Sequence, residues 1–332
     1  MSEWNGFSTR LGRVGLALLL GASVIGGVAH AQQSWPNRPV RILVPYPAGG
    51  STDILSRLLG QRLVESLGQP VVIENRGGGN GGVAAGFFAK TSQDDHFFLV
   101  VSLPMMSINL YLYSKLGYDP DADFIPIGLI AHTPNVMVVA PALPVDTLKG
   151  FAAHAKASPK GLTYSSSGSG SAGHLLNELF KASVGIQFLH VPYKGNAPAL
   201  QALIAGDVDF TTDNLPQLLP QIRAGKLKPL AVTSPQRWFQ LPEVPTVTES
   251  GFPSMTTTAW FGLVAQAKTP PEVIARMNSA LVATLRKPDF AARLQEFSFE
   301  ALPGSPDDMR VAVRKEREKW RQVVQISGAR VD

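Results

Sequence analysis

The chain has 332 residues, 45% apolar and 17% charged, which excludes a disordered chain and leaves room for about two domains. It has no cysteine, so disulfides, thiolate metal sites and cysteine nucleophiles are all excluded. The net charge of +5 is spread along the chain without a long single-sign block, and it predicts no nucleic-acid partner.

The N-terminus carries Arg10 and Arg13, an apolar run over 14–28, and Ala-His-Ala at 29–31. This three-part layout predicts a secretory leader, residues 1–31, cleaved after about Ala31. The run is short for a membrane span, and no cysteine follows to carry a lipid. The remaining chain is expected to be exported to the periplasm.

From there strand and helix patterns alternate. "VRILVPY" (40–46) reads as a buried strand, and 53–68 as a helix with Ile54, Leu55, Leu58, Leu59, Leu63 and Leu67 inward. Strands are expected at 70–75 and 97–102, with a helix at 82–91 between them. The segment 123–144 is expected to hold two strands. A helix at 147–158, capped at Asp146 or Thr147, leads to a strand at 162–166. A helix at 172–185 ends at Gly185, and a strand at 186–193 follows. Then come a helix at 198–206 and strands at 208–214, 227–234 and 258–266. Helices at 270–286 and from Pro306 complete the chain. In the last of these, Val313, Trp320 and Val324 recur at helical spacing within a run of mixed charge, so it reads as an amphipathic surface helix.

Near-continuous apolar strands alternating with helices predict an α/β fold with mainly parallel sheets flanked by helices. "VPYPAGGSTDILSRLL" from Val44 and "VPYKGNAPALQALI" from Val191 share a strand, a small-residue loop and a helix. They fit two half-similar lobes. The Pro-rich stretch at 139–145 and "SGFPSMTT" (250–257), before the strand 258–266, are the candidate crossings. They give a discontinuous first lobe, 35–140 plus 258–332, and a second lobe, 141–257.

Several loops imitate nucleotide motifs. "PYPAGGSTD" (45–53) lacks the P-loop spacing and its lysine. "GGGNGG" (77–82) and "GSGSAG" (168–173) both fit G-x-G-x-x-G, and the second lies between a strand and a helix. A dinucleotide site also needs an acidic residue at the end of the next strand; here that strand ends in Pro192 and Tyr193. An exported nucleotide-dependent enzyme using GSGSAG is therefore the alternative reading. A protein-interaction module has only the charged C-terminal helix in its favour. The loops "PAGGST" and "SSGSGSAG" open helices at the carboxyl ends of strands in the two lobes, where open α/β sheets bind ligands. Neither holds Lys or Arg, and Ser166, Ser167, Ser169 and Ser171 add neutral donors. The pair suits a small carboxylate held by oriented dipoles between closing lobes.

Catalytic and metal patterns are scarce. There is no G-x-S-x-G elbow and no S-x-x-K, and the histidines lack metal spacing. His174, on the helix after the serine loop, reads as a packing residue, with a ligand neighbour the alternative. Asp207 and Asp209 read as turn and strand-end residues, whereas Asp213 is placed to face the cleft. Tyr193 and Trp260 are candidate walls, with simple core packing the alternative for Trp260.

These segments together resemble the substrate-binding proteins of tripartite tricarboxylate transporters, the Bug receptors. The matching pieces are "WPNRPVRILVPYPAGGSTDILSRLL", "PVVIENRGGGNGG", "YDPDADFIPIGLI", "YSSSGSGSAGHLLNELF", "HVPYKGNAPALQALIAGDVDF" with "DN", and "LPEVPTVTESGFP". They run in order from residue 35 to beyond 260. The resemblance implies a two-lobe, type II periplasmic-binding-protein fold with two crossings. It also implies a small carboxylate ligand held partly through waters, no metal or cofactor, and permease subunits as membrane partners for a monomeric receptor. Carried over, the ligand residues are Tyr46, Ala48, Gly49, Gly50, Asp53 and Ser102 in the first lobe. In the second they are Ser167, Gly168, Gly170, Ser171, Tyr193 and Asp213. Two positions depart from the family pattern: Gly77 stands where a proline is common, and "DDHFF" (94–98) where Gly-Tyr is common.

Overall fold

In the computed structural model the described residues are Met1, 35–158 and 161–331. Past Met1, the leader read from the sequence lies outside them. From Arg38 onward the chain makes the α/β body, and two sets of parallel strands organise it. The first set is β1 (Val40–Val44), β2 (Val71–Asn75) and β3 (Phe97–Ser102), connected by α1 (Ser51–Leu67) and α2 (Gly82–Lys90). β1 and β3 are apolar and buried almost throughout, as strands covered on both faces must be. After β3 a π-helical turn, Pro104–Ile108, runs into the short α3 (Asn109–Leu112).

Next comes β4 (Phe124–Val139), where two strands were expected. It is one strand of 16 residues that serves both halves. Phe124 to Pro134 pair with a later strand, β9 (Thr258–Gln266), and Asn135 to Val139 pair into the second half. The register shifts between Pro126 and Gly128 and again between Leu129 and Ala131; the first of these irregularities adjoins a proline, which cannot donate to the ladder. Pro134 sits where the partners change, so its missing N–H falls at the point where the ladder hands over.

The second half repeats the first. α4 (Leu148–Ala157) leads to β5 (Leu162–Ser166), α5 (Ala172–Val184), β6 (Phe188–Pro192), α6 (Asn196–Ala205), β7 (Phe210–Asn214), α7 (Leu215–Arg223) and β8 (Lys228–Val232). β5, β6 and β7 are parallel, and Phe151, Phe180, Phe188 and Phe210 pack ring against ring beneath them. After β9 follow α8 (Pro271–Leu285), α9 (Pro288–Glu296), β10 (Glu300–Ala301) and α10 (Pro306–Ser327). The strand order is β2-β1-β3-β9-β4-β7-β5-β6, with β8 and β10 also on β4. Every antiparallel pair involves β4 or β9, the strands that link the halves.

The sequence reading passed over α7 and α9. Pro216 and Pro220 look like breakers in "LPQLLPQIR", yet Pro216 lies in the first turn, where its missing N–H matters little. Burial of Leu215, Leu218 and Leu219 outweighs the second proline. α10 is the surface helix read from its pattern. A capping box between Ser305 and Asp308 starts it, and Met309, Val313, Trp320, Val323 and Val324 face inward. It packs on β4 and α5, so it lies against both halves. Among the described residues no helix is long and apolar enough to cross a membrane.

Candidate functional site

Between the halves, at the carboxyl ends of the parallel strands, lies a cavity of about 480 Å³ with its mouth included. Each wall is a strand end running into a helix start. From the first half come Tyr46 after β1, Thr52 in the first turn of α1, and Ser102 at the end of β3. From the second come Ser167 and Ser171 after β5, Ala172 and Gly173 opening α5, Asn196 opening α6, and Asp213 in β7. Asn135 of β4 and Ala259, Trp260 and Phe261 of β9, the linking strands, line it as well, with Asn80, Leu103, Pro104 and Asn214.

Of the residues expected from the sequence, Tyr46, Ser102, Ser167, Ser171 and Asp213 meet on this cavity. Gly168 and Tyr193 line a wider outer groove, which shares Tyr46, Asn80 and Ser167 with the cavity and forms its mouth. Ala48, Gly49, Gly50, Asp53 and Gly170 line neither.

Asp53 turns back on its own loop. Its carboxylate accepts from the Gly49 N–H (3.0 Å), Arg57 Nε (3.0 Å) and Asn75 Nδ2 (2.9 Å). Burial raises its pKa, but these donors outweigh that and hold it below the usual range. Gly49, at φ 85°, needs the left-handed backbone that a glycine adopts without strain. Asp53 therefore fixes the shape of the first glycine loop. Above it, the Tyr46 hydroxyl lies 2.8 Å from Ser102 Oγ. Burial pushes that hydroxyl up to about 12, so Tyr46 stays a neutral donor.

The serine loop is pinned by two stacked imidazoles. Gly170 N–H donates to His174 Nδ1 (3.0 Å), and Ser166 Oγ lies 2.7 Å from His190 Nε2. The two rings stack at 4.1 Å, and Tyr164 packs near-parallel against both, 4.8 Å from His190 and 6.3 Å from His174. Ser171 Oγ accepts from the His174 N–H and caps α5. His174 is buried against His190 and also holds the Gly170 N–H, so it packs and supports the serine loop at once.

Burial, then the neighbouring His174, lowers the His190 pKa to about 4. A folded-state pKa below the unfolded value of 6.5 gives stability that is full above 6.5 and lost as pH falls through 4. Chemical denaturation at pH 7 and pH 4.5 should show His190→Gln losing less stability on acidification than wild type. The expected difference is about 1–2 kcal/mol after allowance for solvent screening of the partly exposed ring. Equal acid sensitivity would remove His190 from the account.

Contacts also cross the cleft. Asn80 Nδ2 donates to the Gly170 carbonyl (2.8 Å) and to Asn109 Oδ1 (3.1 Å). A methyl group on Gly50 would come within 3.2 Å of Asn196 Oδ1. Sequence reasoning missed Asn80, Asn135 and Asn196. The one available signal was the asparagine inside "GGGNGG", which takes φ 49°, a region asparagine tolerates.

Asp213 is the acidic group of the cavity. It accepts from Asn196 Nδ2 at 2.8 and 2.7 Å and from the Asn214 N–H at 2.7 Å. Burial outweighs these bonds and pushes it up to about 6. No Lys or Arg lines the cavity. Its donors are hydroxyls, amides and the first turns of α1 and α5, a set that holds an anion by dipoles. Among the described residues no cluster of acids and histidines could hold a metal ion.

The dinucleotide-like spacing of GSGSAG has a packing cause. A Cβ on Gly173 would lie 1.9 Å from the Thr212 carbonyl oxygen. The third glycine of the motif thus lets α5 close onto β7, the task that position has wherever a helix packs tightly on a strand.

Comparison with known proteins gives the family and the fold. The family model described as "Tripartite tricarboxylate transporter family receptor" matches residues 55–329. BugT of Bordetella pertussis is 33% identical over 299 residues, 90% of this chain and 92% of that protein. The structure of R. palustris Rpa4515 with adipate is 40% identical with a TM-score of 0.86, covering 90% of this chain and all of that one. MatC (Rpa3494) from Rhodopseudomonas palustris with bound malate is 32% identical with a TM-score of 0.82, covering 87% and 100%. The two-lobe periplasmic-binding-protein fold expected from the sequence is thereby established, and with it the family: this chain belongs to the receptors of the tripartite tricarboxylate transporters.

Proposed function

We propose that the chain is a periplasmic receptor that captures a small organic carboxylate between its lobes and presents it to membrane permease subunits. It acts without catalysis or cofactor, as a monomer. The observation that carries this reading is the cavity itself: helix starts and neutral donors from both halves converge there with no fixed cation. Adipate in one neighbour and malate in another support the ligand class. The leader at 1–31 supplies export. The lobes are taken as 35–140 plus 258–332 and 141–257. Tyr46, Ser102, Ser167, Ser171 and Asp213 touch the ligand. The loop residues Ala48, Gly49, Gly50, Gly168 and Gly170, with Asp53 and Tyr193, shape the two rims.

A thermal-shift panel of aliphatic mono-, di- and tricarboxylates tests this. A ligand at a hundredfold its Kd adds about 2.7 kcal/mol, which is on the order of 5 °C for a protein of this size. A folded protein that no carboxylate stabilises, but that retains a dinucleotide in native mass spectrometry, would support the enzyme reading instead.

Asp53→Ala should weaken carboxylate binding about tenfold (~1.4 kcal/mol), the effect of a loosened loop and not of a lost ligand contact. The substitution frees Gly49 and Asn75 and loosens the loop, while the far-UV circular dichroism stays native. Unchanged affinity by calorimetry would take Asp53 out of the site.

A further inference from the structure

The cavity has no cation on its walls, but its mouth has one. Among the described residues that line the outer groove, Lys194 is the one with a charged side chain. It is exposed and does not line the inner cavity. None of the ion pairs or hydrogen bonds among the described residues uses its ammonium group. The charge is therefore free to act on whatever enters the groove.

The backbone fixes where that charge starts from. Tyr193 N–H donates to the Ser166 carbonyl (3.0 Å), and Gly195 N–H donates to the Ser167 carbonyl (3.2 Å). Lys194 lies between them, so the serine loop holds it on both sides. On its other flank a Cβ added to Gly195 would come within 3.3 Å of Pro47 Cγ, in the first glycine loop. Lys194 thus stands where the two loops face each other, on the way into the cavity. A solvated ammonium on a long stem is worth little as a held contact. Its field still reaches about a Debye length, ~8–10 Å at moderate salt, and a charge at the mouth of a cleft acts on the rate of entry.

We propose that Lys194 is a steering residue, which speeds the capture of an anionic ligand without touching it once bound. The cavity behind it carries Asp213 and no Lys or Arg, so an incoming anion meets repulsion inside and attraction only at the rim. In water at about 10 Å, two unit charges attract enough to change a rate about twofold, and a dianion about fourfold. The effect belongs to the association rate, because the neutral donors of the cavity hold the ligand after it has entered.

This inference rests on the carboxylate-receptor reading, and stopped-flow kinetics separate the two. The probes are adipate and malate as dianions at pH 7.5, followed by tryptophan fluorescence, since Trp260 lines the cavity. At low salt Lys194→Gln should slow association about fourfold and Lys194→Glu about fourfold again. Lys194→Arg should keep the wild-type rate, and dissociation should stay the same in all three variants. At 1 M salt, where the Debye length is about 3 Å, the four association rates should converge. A loss carried by dissociation, a loss that persists at 1 M salt or in Lys194→Arg, or a wild-type rate in Lys194→Glu would overturn the steering role and leave the receptor reading standing. A wild type that binds neither acid would overturn both. Melting curves check that each variant is folded.

Discussion

Gly173→Ala is expected to lower stability by about 3 kcal/mol, the upper end of the range for overpacking. The added methyl would meet the Thr212 carbonyl at 1.9 Å. The obstacle is backbone in β7, so no rotamer change relieves it. Relief requires α5 to lift from the sheet, and α5 carries the buried Leu175, Leu176, Leu179 and Phe180. Moving the helix would also part Ser171 and His174 from the serine loop. Ligand affinity should therefore fall together with stability. Gly168→Ala provides the contrast. It has no atom nearer than the Tyr193 carbonyl at 3.6 Å, so backbone strain at its φ of 138°, on the order of 1–3 kcal/mol, is the main effect and no backbone clash adds to it. Urea denaturation of both variants checks the ordering. A Gly173→Ala protein within 1 kcal/mol of wild type would mean that α5 does not sit on β7 as described.

That glycine also shows which features were legible in the sequence. The alternation of apolar strands and helices fixes the fold class, because strands buried on both faces need continuous apolar runs. The two glycine loops are legible for the same kind of reason: chain that turns from strand to helix needs residues free of a Cβ. GSGSAG is ambiguous because tight helix-on-strand packing and pyrophosphate binding ask for the same third glycine. Other features depend on pairing between distant segments. β4 reads as two strands because prolines interrupt it, and only the switch of partners at Pro134 explains a single strand. Asn80, Asn135 and Asn196 matter through what faces them across the cleft, and no local pattern marks such an asparagine. Asp53 and Asp213 were both named as ligand residues, yet their environments differ. Arg57 and two other donors satisfy Asp53, whereas Asp213 faces the cavity with its charge poorly compensated.

Asp213→Asn should make the ligand-free protein more stable at pH 8 and change it little at pH 4. Burial raises this carboxyl from 3.8 to about 6. An acid whose folded-state pKa is raised contributes stability below its unfolded pKa, and that contribution is lost as pH rises through the folded value. The gap corresponds to about 3 kcal/mol against the folded state at alkaline pH, and an asparagine, which never ionises, avoids it. The same residue makes carboxylate binding pH-dependent. A bound carboxylate beside Asp213 raises its pKa further, so above pH 6 the complex takes up a proton that the free protein lacks. Wild-type affinity should fall between pH 6 and pH 8, by up to about tenfold per pH unit at the steepest point. Monocarboxylic acids are ionised throughout that window and His190 is neutral, so with a monocarboxylate probe neither contributes to the slope. Asp213→Asn should bind with a flat profile, tighter than wild type at pH 8 and similar at pH 6. Affinity that rises toward pH 8 would instead mean that ionised Asp213 accepts from a hydroxyl or ammonium group of the ligand. A wild-type profile that is already flat would place the bound carboxylate away from Asp213.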